Sequence, residues 1–89
     1  MSTQSPVYLS LNLVGTATLA AIAACESGGA PSVVSPGGTY RGKYQFTYPT
    51  WASVGGSGDP AAASEAEQDR RAALLYAREG SSAWPNCAR

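Results

Sequence analysis

The period of the hydrophobic and polar positions changes near residue 16. Between Val7 and Val14 the apolar and polar residues alternate, which is a weak strand signal. From Thr16 the apolar positions follow a helical period instead, with Thr16 or Thr18 as the cap and a double glycine at the end. We therefore expect a leader or packing segment over residues 1–15, either a strand or an irregular wrap, and the domain proper over residues 16–89.

One glutamate lies on the apolar stripe of this predicted helix. The stripe, at the spacing i, i+3, i+4 and i+7, consists of Leu19, Ile22, Ala23 and Glu26. Charged groups are rare on such a face, because an ionised carboxylate is costly to desolvate. Burial would raise the pKa of Glu26, and an acid of that kind can protonate a glycosidic oxygen near neutral pH. The spacing alone leaves open whether Glu26 instead reaches solvent from the last turn.

Aromatic and polar residues alternate in the middle of the chain. The aromatic positions are Tyr40, Tyr44, Phe46 and Tyr48, and the polar ones are Arg41, Lys43, Gln45 and Thr47. A two-residue period predicts a short strand or hairpin with one aromatic face and one polar face. The aromatic face either packs in the core, the commoner arrangement, or offers flat surfaces to sugar rings beside Gln45 and Thr50.

Capping signals predict two further helices. Thr47 ahead of Pro49 favours a short helix that carries Trp51. Ser64 opens a capping box, and the helix that follows runs to about Glu79. On one face of this helix lie the apolar residues Ala66, Ala73, Leu74 and Ala77.

Composition then narrows the chemistry. The 89 residues make one small domain with a thin core, which a disulfide between the two cysteines would support; two buried free thiols are the alternative. Histidine is missing, which excludes Ser-His-Asp and Cys-His catalysis and most zinc sites, so we expect no metal and no cofactor. Six Lys and Arg balance six Asp and Glu, and nucleic acid is therefore a poor candidate partner.

The uncharged stretch from Val7 to Ala24 resembles a targeting segment only superficially. No Lys or Arg precedes Arg41, so the basic region of a signal sequence is missing. Polar residues and a glycine interrupt the stretch, which argues against insertion in a membrane. We expect a folded element here.

Five motifs together resemble one family. They are Cys25-Glu26-Ser27-Gly28-Gly29, Gly42-Lys43-Tyr44-Gln45-Phe46, Thr50-Trp51, Gly55-Gly56-Ser57-Gly58-Asp59-Pro60 and Ala83-Trp84-Pro85-Asn86-Cys87. In this order they resemble the resuscitation-promoting factor domain of actinobacteria, over roughly Leu19 to Cys87. The resemblance implies an α+β, mainly helical, lysozyme-like domain with a short β hairpin and one disulfide. It also implies cleavage of the β-1,4 bond between N-acetylmuramic acid and N-acetylglucosamine in peptidoglycan.

The resemblance also assigns roles to residues. It makes Glu26 the catalytic acid, pairs Cys25 with Cys87, and assigns as substrate contacts Tyr40, Gln45 and Thr50. The family tends to carry a glutamine where this chain has Glu79, an unexpected second carboxylate that we group with the substrate contacts. We favour a single-acid mechanism in which the 6-hydroxyl of the substrate attacks. If Glu79 faces the cleft, hydrolysis by water is the alternative.

Other function classes stay open. The domain can be a wall-binding module with weak catalysis, or the same domain within a phage endolysin or virion-associated lysin; a lipoprotein anchored through Cys25 is disfavoured, since it would remove the partner of Cys87. In each of the favoured cases the partner is a peptidoglycan strand and the place of action is secreted, wall-associated or phage-delivered. We expect a monomer.

Overall fold

The computed structural model describes the backbone of residues 6–88 and the side chains of residues 17–88. Three α-helices follow one another: α1 (Pro6–Ser27), α2 (Tyr48–Ser53) and α3 (Glu65–Glu79). Two short 3₁₀ helices, Pro60–Ala62 and Gly80–Ala83, flank α3. No helix among these combines the length and apolar character that crossing a bilayer requires.

Helix α1 confirms the predicted stripe but begins earlier than predicted. Its buried positions are Leu19, Ile22 and Ala23, with Glu26 half-buried. The helix ends at a double glycine in left-handed conformation, where the Gly28 and Gly29 N–H groups donate to carbonyls of the last turns. The strand or wrap proposed for residues 7–14 is wrong, because the helix already starts at Pro6, a residue suited to a first turn. Residues 1–5 of the predicted leader lie outside the described part.

The predicted hairpin over residues 39–48 is not confirmed. Within residues 17–88, Arg41 forms two isolated antiparallel bridges, one to Val34 and one to Phe46, and no strand develops from them. The alternating aromatic face is also wrong: Tyr44 and Phe46 are buried, whereas Tyr40 and Tyr48 are about half exposed. The alternation fails at its two ends, Tyr40 and Tyr48, and between the two buried rings Gln45 has a left-handed backbone.

Helix α2 forms as its cap predicts. The Thr47 side chain accepts a hydrogen bond from the Thr50 N–H, and Pro49 lies in the first turn. Trp51 is fully buried, with its ring edge against Phe46 at 5.0 Å between centroids. Its indole N–H donates to the Ser57 carbonyl, which ties the following glycine-rich loop to the core.

Helix α3 has the predicted ends but a different buried face. The Ser64 hydroxyl accepts from the Glu67 N–H, and Gly80 caps the C-terminus with a positive φ. The buried residues are Gln68, Ala72 and Leu75, whereas Leu74 is exposed. The apolar face of Ala66, Ala73, Leu74 and Ala77 is therefore not the buried one, and of these four only Ala73 packs against the core. The hydrophobic pattern did not indicate the buried stripe, because the first residue of that stripe, Gln68, is polar.

The core lies between α1, α3 and the aromatic residues that follow the first loop. Trp84 closes one side, stacked on Tyr76 and donating its indole N–H to the Tyr44 carbonyl. A disulfide joins Cys25 to Cys87 across 62 residues, as predicted. It ties the end of the described chain to the last turn of α1, beside Glu26.

Candidate active site

Glu26 lies in the last turn of α1, next to the disulfide. Its side chain is half-buried, and desolvation by burial raises the pKa of its carboxyl group. Among residues 17–88 no side chain or backbone N–H donates to this carboxylate and no cation pairs with it. A glutamic acid in this setting holds its proton to a higher pH than an exposed one, which suits a general acid.

The other five carboxylates of the chain are all paired with cations. These pairs are Asp59 with Arg41, Glu65 and Asp69 with Lys43, Glu67 with Arg70 and Arg71, and Glu79 with Arg78. Pairing favours the charged form, and the pKa of Asp59 is lowered chiefly by its hydrogen bonds from Arg41. Glu26 thus differs from every other carboxylate in the described part of the chain.

Gln45 occupies a strained position in the turn that follows Arg41. Its φ is +55°, a value that non-glycine residues rarely adopt. Its side-chain NH₂ donates to the Gly42 carbonyl at 2.9 Å and to the Val33 carbonyl at 3.2 Å. Because both partners are carbonyl oxygens, they orient the amide nitrogen inward and leave Oε1 as the acceptor. Within the described residues no donor reaches that oxygen, so it can accept from a ligand.

The other two predicted contacts are accessible to different degrees. Tyr40 is 50% exposed, and its backbone N–H donates to the Ser35 hydroxyl. Thr50 is half-buried in the first turn of α2, where its hydroxyl accepts from the Thr47 hydroxyl at 3.0 Å. That bond leaves the Thr50 hydroxyl proton free to donate. Their contact with a glycan stays a prediction.

Glu79 lies at the last turn of α3 and is exposed. Its Oε2 accepts from Arg78 at 2.7 Å, and Arg78 also donates to the Ser53 carbonyl and hydroxyl. The carboxylate is therefore engaged with a cation at the junction of α3 with α2. This pairing disfavours a role as a base or nucleophile, although a polar contact with substrate stays a prediction.

Two groups that support this region are not among the predicted site residues. One is Gln68, fully buried and hydrogen bonded at each polar atom of its side chain. The other is the bidentate pair of Arg41 with Asp59, at 2.6 and 2.8 Å, which lies beside the Tyr48 ring. The spacing of Gln68, Ala72 and Leu75 at i, i+4 and i+7 was the available signal for the first. No local signal marks the second, since eighteen residues separate its members.

The comparisons with known proteins agree on one family. A family model described as a transglycosylase-like domain matches residues 15–87. Resuscitation-promoting factor RpfC of Mycobacterium tuberculosis is 46% identical over 67 residues, covering 75% of this chain and 47% of RpfC. Resuscitation-promoting factor Rpf of Micrococcus luteus is 46% identical over 66 residues, covering 74% of this chain and 29% of that protein. Probable transglycosylase SceD 3 of Staphylococcus saprophyticus is also 46% identical, over 70 residues, covering 74% of this chain and 29% of that protein.

The chain spans half the length of these relatives or less. The similarity nevertheless covers nearly all of the described part of the chain, including α1 from its middle, the disulfide and α3. The resemblance inferred from the five motifs is thereby confirmed. This chain belongs to the transglycosylase-like domain family, in the form found in resuscitation-promoting factors.

Proposed function

We propose that this domain cleaves the glycan strands of bacterial peptidoglycan at the β-1,4 bond between N-acetylmuramic acid and N-acetylglucosamine, with Glu26 as general acid. The observation that supports this most is the contrast among the carboxylates. Glu26 is half-buried with a raised pKa and no cation beside it in residues 17–88, whereas the other five carboxylates are paired. The family and the printed names of its members agree with cell-wall chemistry.

The proposed reaction needs one acid. The Glu26 carboxylic acid protonates the glycosidic oxygen, and the bond from that oxygen to C1 of N-acetylmuramic acid breaks. The resulting carboxylate then takes the proton from the 6-hydroxyl of the same sugar as its oxygen bonds to C1. The products are a free 4-hydroxyl on N-acetylglucosamine and a 1,6-anhydro sugar, and Glu26 is again protonated.

One feature supports this route over hydrolysis. Retaining and inverting glycosidases need a second free carboxylate about 5–5.5 Å or 6.5–9.5 Å from the acid. Glu79, which we grouped with the substrate contacts, is bound to Arg78.

Gln45 Oε1 and the Thr50 hydroxyl offer an acceptor and a donor for the hydroxyl and acetamido groups of the sugar. Because the substrate lies outside the cytoplasmic membrane, we place the domain's action there, secreted, wall-associated or delivered by a phage.

The test is digestion of purified peptidoglycan in ¹⁸O-labelled water, followed by mass spectrometry of the released fragments. Wild type should release fragments that end in anhydro sugar without ¹⁸O, Glu26→Gln should release almost none, and Glu79→Gln should give the same anhydro product as wild type. Labelled reducing ends that vanish in Glu79→Gln would instead assign hydrolysis with Glu79 as the second carboxylate. Equal digestion by wild type and Glu26→Gln would disprove the role of Glu26.

A wall-binding module is the second candidate, favoured by the exposure of Tyr40 and Tyr48. Exposed aromatic rings bind sugars without any catalytic group. In that case wild type and Glu26→Gln would sediment equally with insoluble peptidoglycan, neither would release fragments, and Tyr40→Ala would reduce binding.

A further inference from the structure

The peptide groups on either side of Lys43 are held by side chains from two different helices. The Lys43 N–H donates to Oε1 of Gln68, on α3, at 2.7 Å. The Lys43 carbonyl accepts from the hydroxyl of Ser27, on α1, at 2.7 Å. The Lys43 ammonium lies 2.8 Å from both Glu65 and Asp69. Main chain and side chain of one turn residue are thus fixed by three sets of contacts.

Ser27 follows Glu26 directly and is the last residue of α1. Its hydroxyl has one proton, and the Lys43 carbonyl is closer to it than the Ala23 carbonyl, at 2.7 Å against 3.2 Å. The same oxygen accepts from the Gly29 N–H at 3.1 Å. The hydroxyl therefore couples the end of the helix that carries Glu26 to the turn after Arg41.

Gln68 gives the other half of this support and has no freedom to rotate away. It is fully buried, and its NH₂ donates to the Pro31 and Ala63 carbonyls at 3.1 and 3.0 Å. With Oε1 bound to Lys43, every polar atom of the side chain has a partner. Breaking any of these bonds would leave a buried polar group unsatisfied.

The supported turn, residues 42–45, ends in the strained residue of the site. The Gln45 N–H donates to the Gly42 carbonyl at 3.1 Å, which closes the turn with Gln45 at a φ of +55°. Strain of this kind persists only where the surroundings impose it, and it occurs most often at functional positions. The surroundings here are the Ser27 and Gln68 bonds to Lys43, two residues away.

We propose that Ser27 and Gln68 are positioning residues that hold the turn, and with it Oε1 of Gln45, in a fixed relation to Glu26. This inference rests on the proposed function, since it assigns Gln45 Oε1 as a hydrogen-bond acceptor for the sugar undergoing cleavage. Small displacements of a contacting group relative to the acid reduce rate strongly, so such groups need rigid support. The inference also explains why a non-glycine residue is kept in a left-handed conformation.

The first test compares Ser27→Ala with Ser27→Thr and with Ser64→Ala as the matched control. Ser64→Ala removes a serine hydroxyl that caps α3 and does not contact the turn. Ser27→Ala should lower kcat on soluble glycan strands about tenfold with KM changed less than about twofold, as expected when one oriented contact is lost. Ser27→Thr, which keeps the hydroxyl, should restore most of kcat, and Ser64→Ala should lower only thermal stability.

A double-mutant comparison tests whether Ser27 acts through Gln45. In a Gln45→Ala background, Ser27→Ala should lower kcat by less than about twofold, because the group it positions is already gone. A further tenfold loss in that background would overturn the inference, as would full activity of Ser27→Ala alone.

The geometry can be measured without activity by NMR of the folded domain. In wild type the Gln45 side-chain NH₂ should show slow hydrogen exchange, and Ser27→Ala should speed that exchange at least about tenfold while Ser64→Ala leaves it unchanged. Unchanged exchange in Ser27→Ala would overturn the positioning role. If exchange responds as expected but Glu26→Gln digests peptidoglycan as well as wild type, the proposed function fails and the support of the turn stands.

Discussion

The last turn of α1 and the helix α3 hold carboxylates in opposite settings. Helix α3 carries Glu65, Glu67, Asp69 and Glu79, and each of them is paired with a lysine or arginine. The turn of α1 carries Glu26 alone, half-buried and without a cation beside it in residues 17–88. The carboxylates of α3 are neutralised by nearby cations, whereas the carboxyl group of Glu26 is partly desolvated.

This difference distinguishes α3, which acts as a scaffold, from the last turn of α1, which is the candidate site. The carboxylates of α3 are held in ion pairs, while Gln68 on the inner face supports the turn of Gln45. Desolvation at Glu26 favours the protonated acid and opposes folding whenever that acid is ionised. A group whose ionisation lowers stability is the kind of residue that function retains.

The largest effect should come from removing the acid. Glu26→Gln should lower the rate of peptidoglycan cleavage about 10²–10⁴-fold, the usual contribution of a general acid. Glu67→Gln is the matched control, because Glu67 is also a half-buried helical glutamate but is paired with Arg71. It should change the rate less than about twofold in the same digestion assay. Similar losses in both variants would remove the distinction between the two regions.

The next largest effect concerns the disulfide that fixes the end of α1 next to Glu26. Replacing Cys25 and Cys87 by serine opens a loop of 62 residues and should lower the free energy of unfolding by about 4 kcal/mol. Urea denaturation measures the total loss. Because the closed loop acts on the unfolded chain, the most protected amides in the middle of α3 should lose the same free energy in hydrogen exchange. An unchanged denaturation midpoint would mean that the closed loop contributes no stability.

A smaller effect tests α3 as support for the turn. Gly42 and Gly37 have nearly equal φ values, +88° and +87°, but an added Cβ at Gly42 would lie 2.5 Å from Gln68 Oε1 and one at Gly37 would meet nothing within 4 Å. Gly37→Ala should cost roughly 1–2 kcal/mol for its backbone conformation alone. Gly42→Ala should cost about 1–3 kcal/mol more, because Gln68 must shift. Equal midpoints of urea denaturation would show that the contact carries no energy.

The smallest effects are opposite pH dependences of stability. The pKa of Glu26 is raised in the folded state above 4.5, so its ionisation destabilises the fold as pH rises through the folded pKa. Glu26→Gln should therefore be more stable than wild type at pH 7, with the difference vanishing below about pH 4. The pKa of Glu67 is lowered, chiefly by its hydrogen bond from Arg71, so Glu67→Gln should be less stable at pH 7 and approach wild type as pH falls below 4.5. Differences of the same sign would refute the contrast.

Sequence patterns predicted the parts of this fold that depend on neighbours in the chain. The caps of α2 and α3 form through Thr47 and Ser64, and the double glycine ends α1 as expected. Glu26 lies on the same face of α1 as the buried apolar residues, and helical periodicity was enough to predict this position. The roles of Tyr40, Gln45, Thr50 and Glu79 came from family resemblance and stay predictions.

Two of the wrong predictions share one cause. The alternation of Tyr40, Tyr44, Phe46 and Tyr48 indicated one aromatic face, and the alanines of α3 indicated another apolar face. Both misjudged which residues are buried, because burial depends on partners far along the chain. Gln68 can be buried because three backbone groups satisfy its amide, two of them, at Pro31 and Lys43, from distant segments.

By itself the sequence determined the helix ends at its caps, the helical placement of Glu26, the family and the only two cysteines that can form an intramolecular disulfide. These follow from hydrogen bonds and periodicities within a few residues, or from motifs in a fixed order. Tertiary structure alone decided which aromatic rings enter the core, that Asp59, Glu65 and Asp69 find cations, and that the main chain at Lys43 is held by Ser27 and Gln68. Those outcomes require groups 16 to 40 residues apart to meet, and only long-range packing brings them within hydrogen-bonding distance.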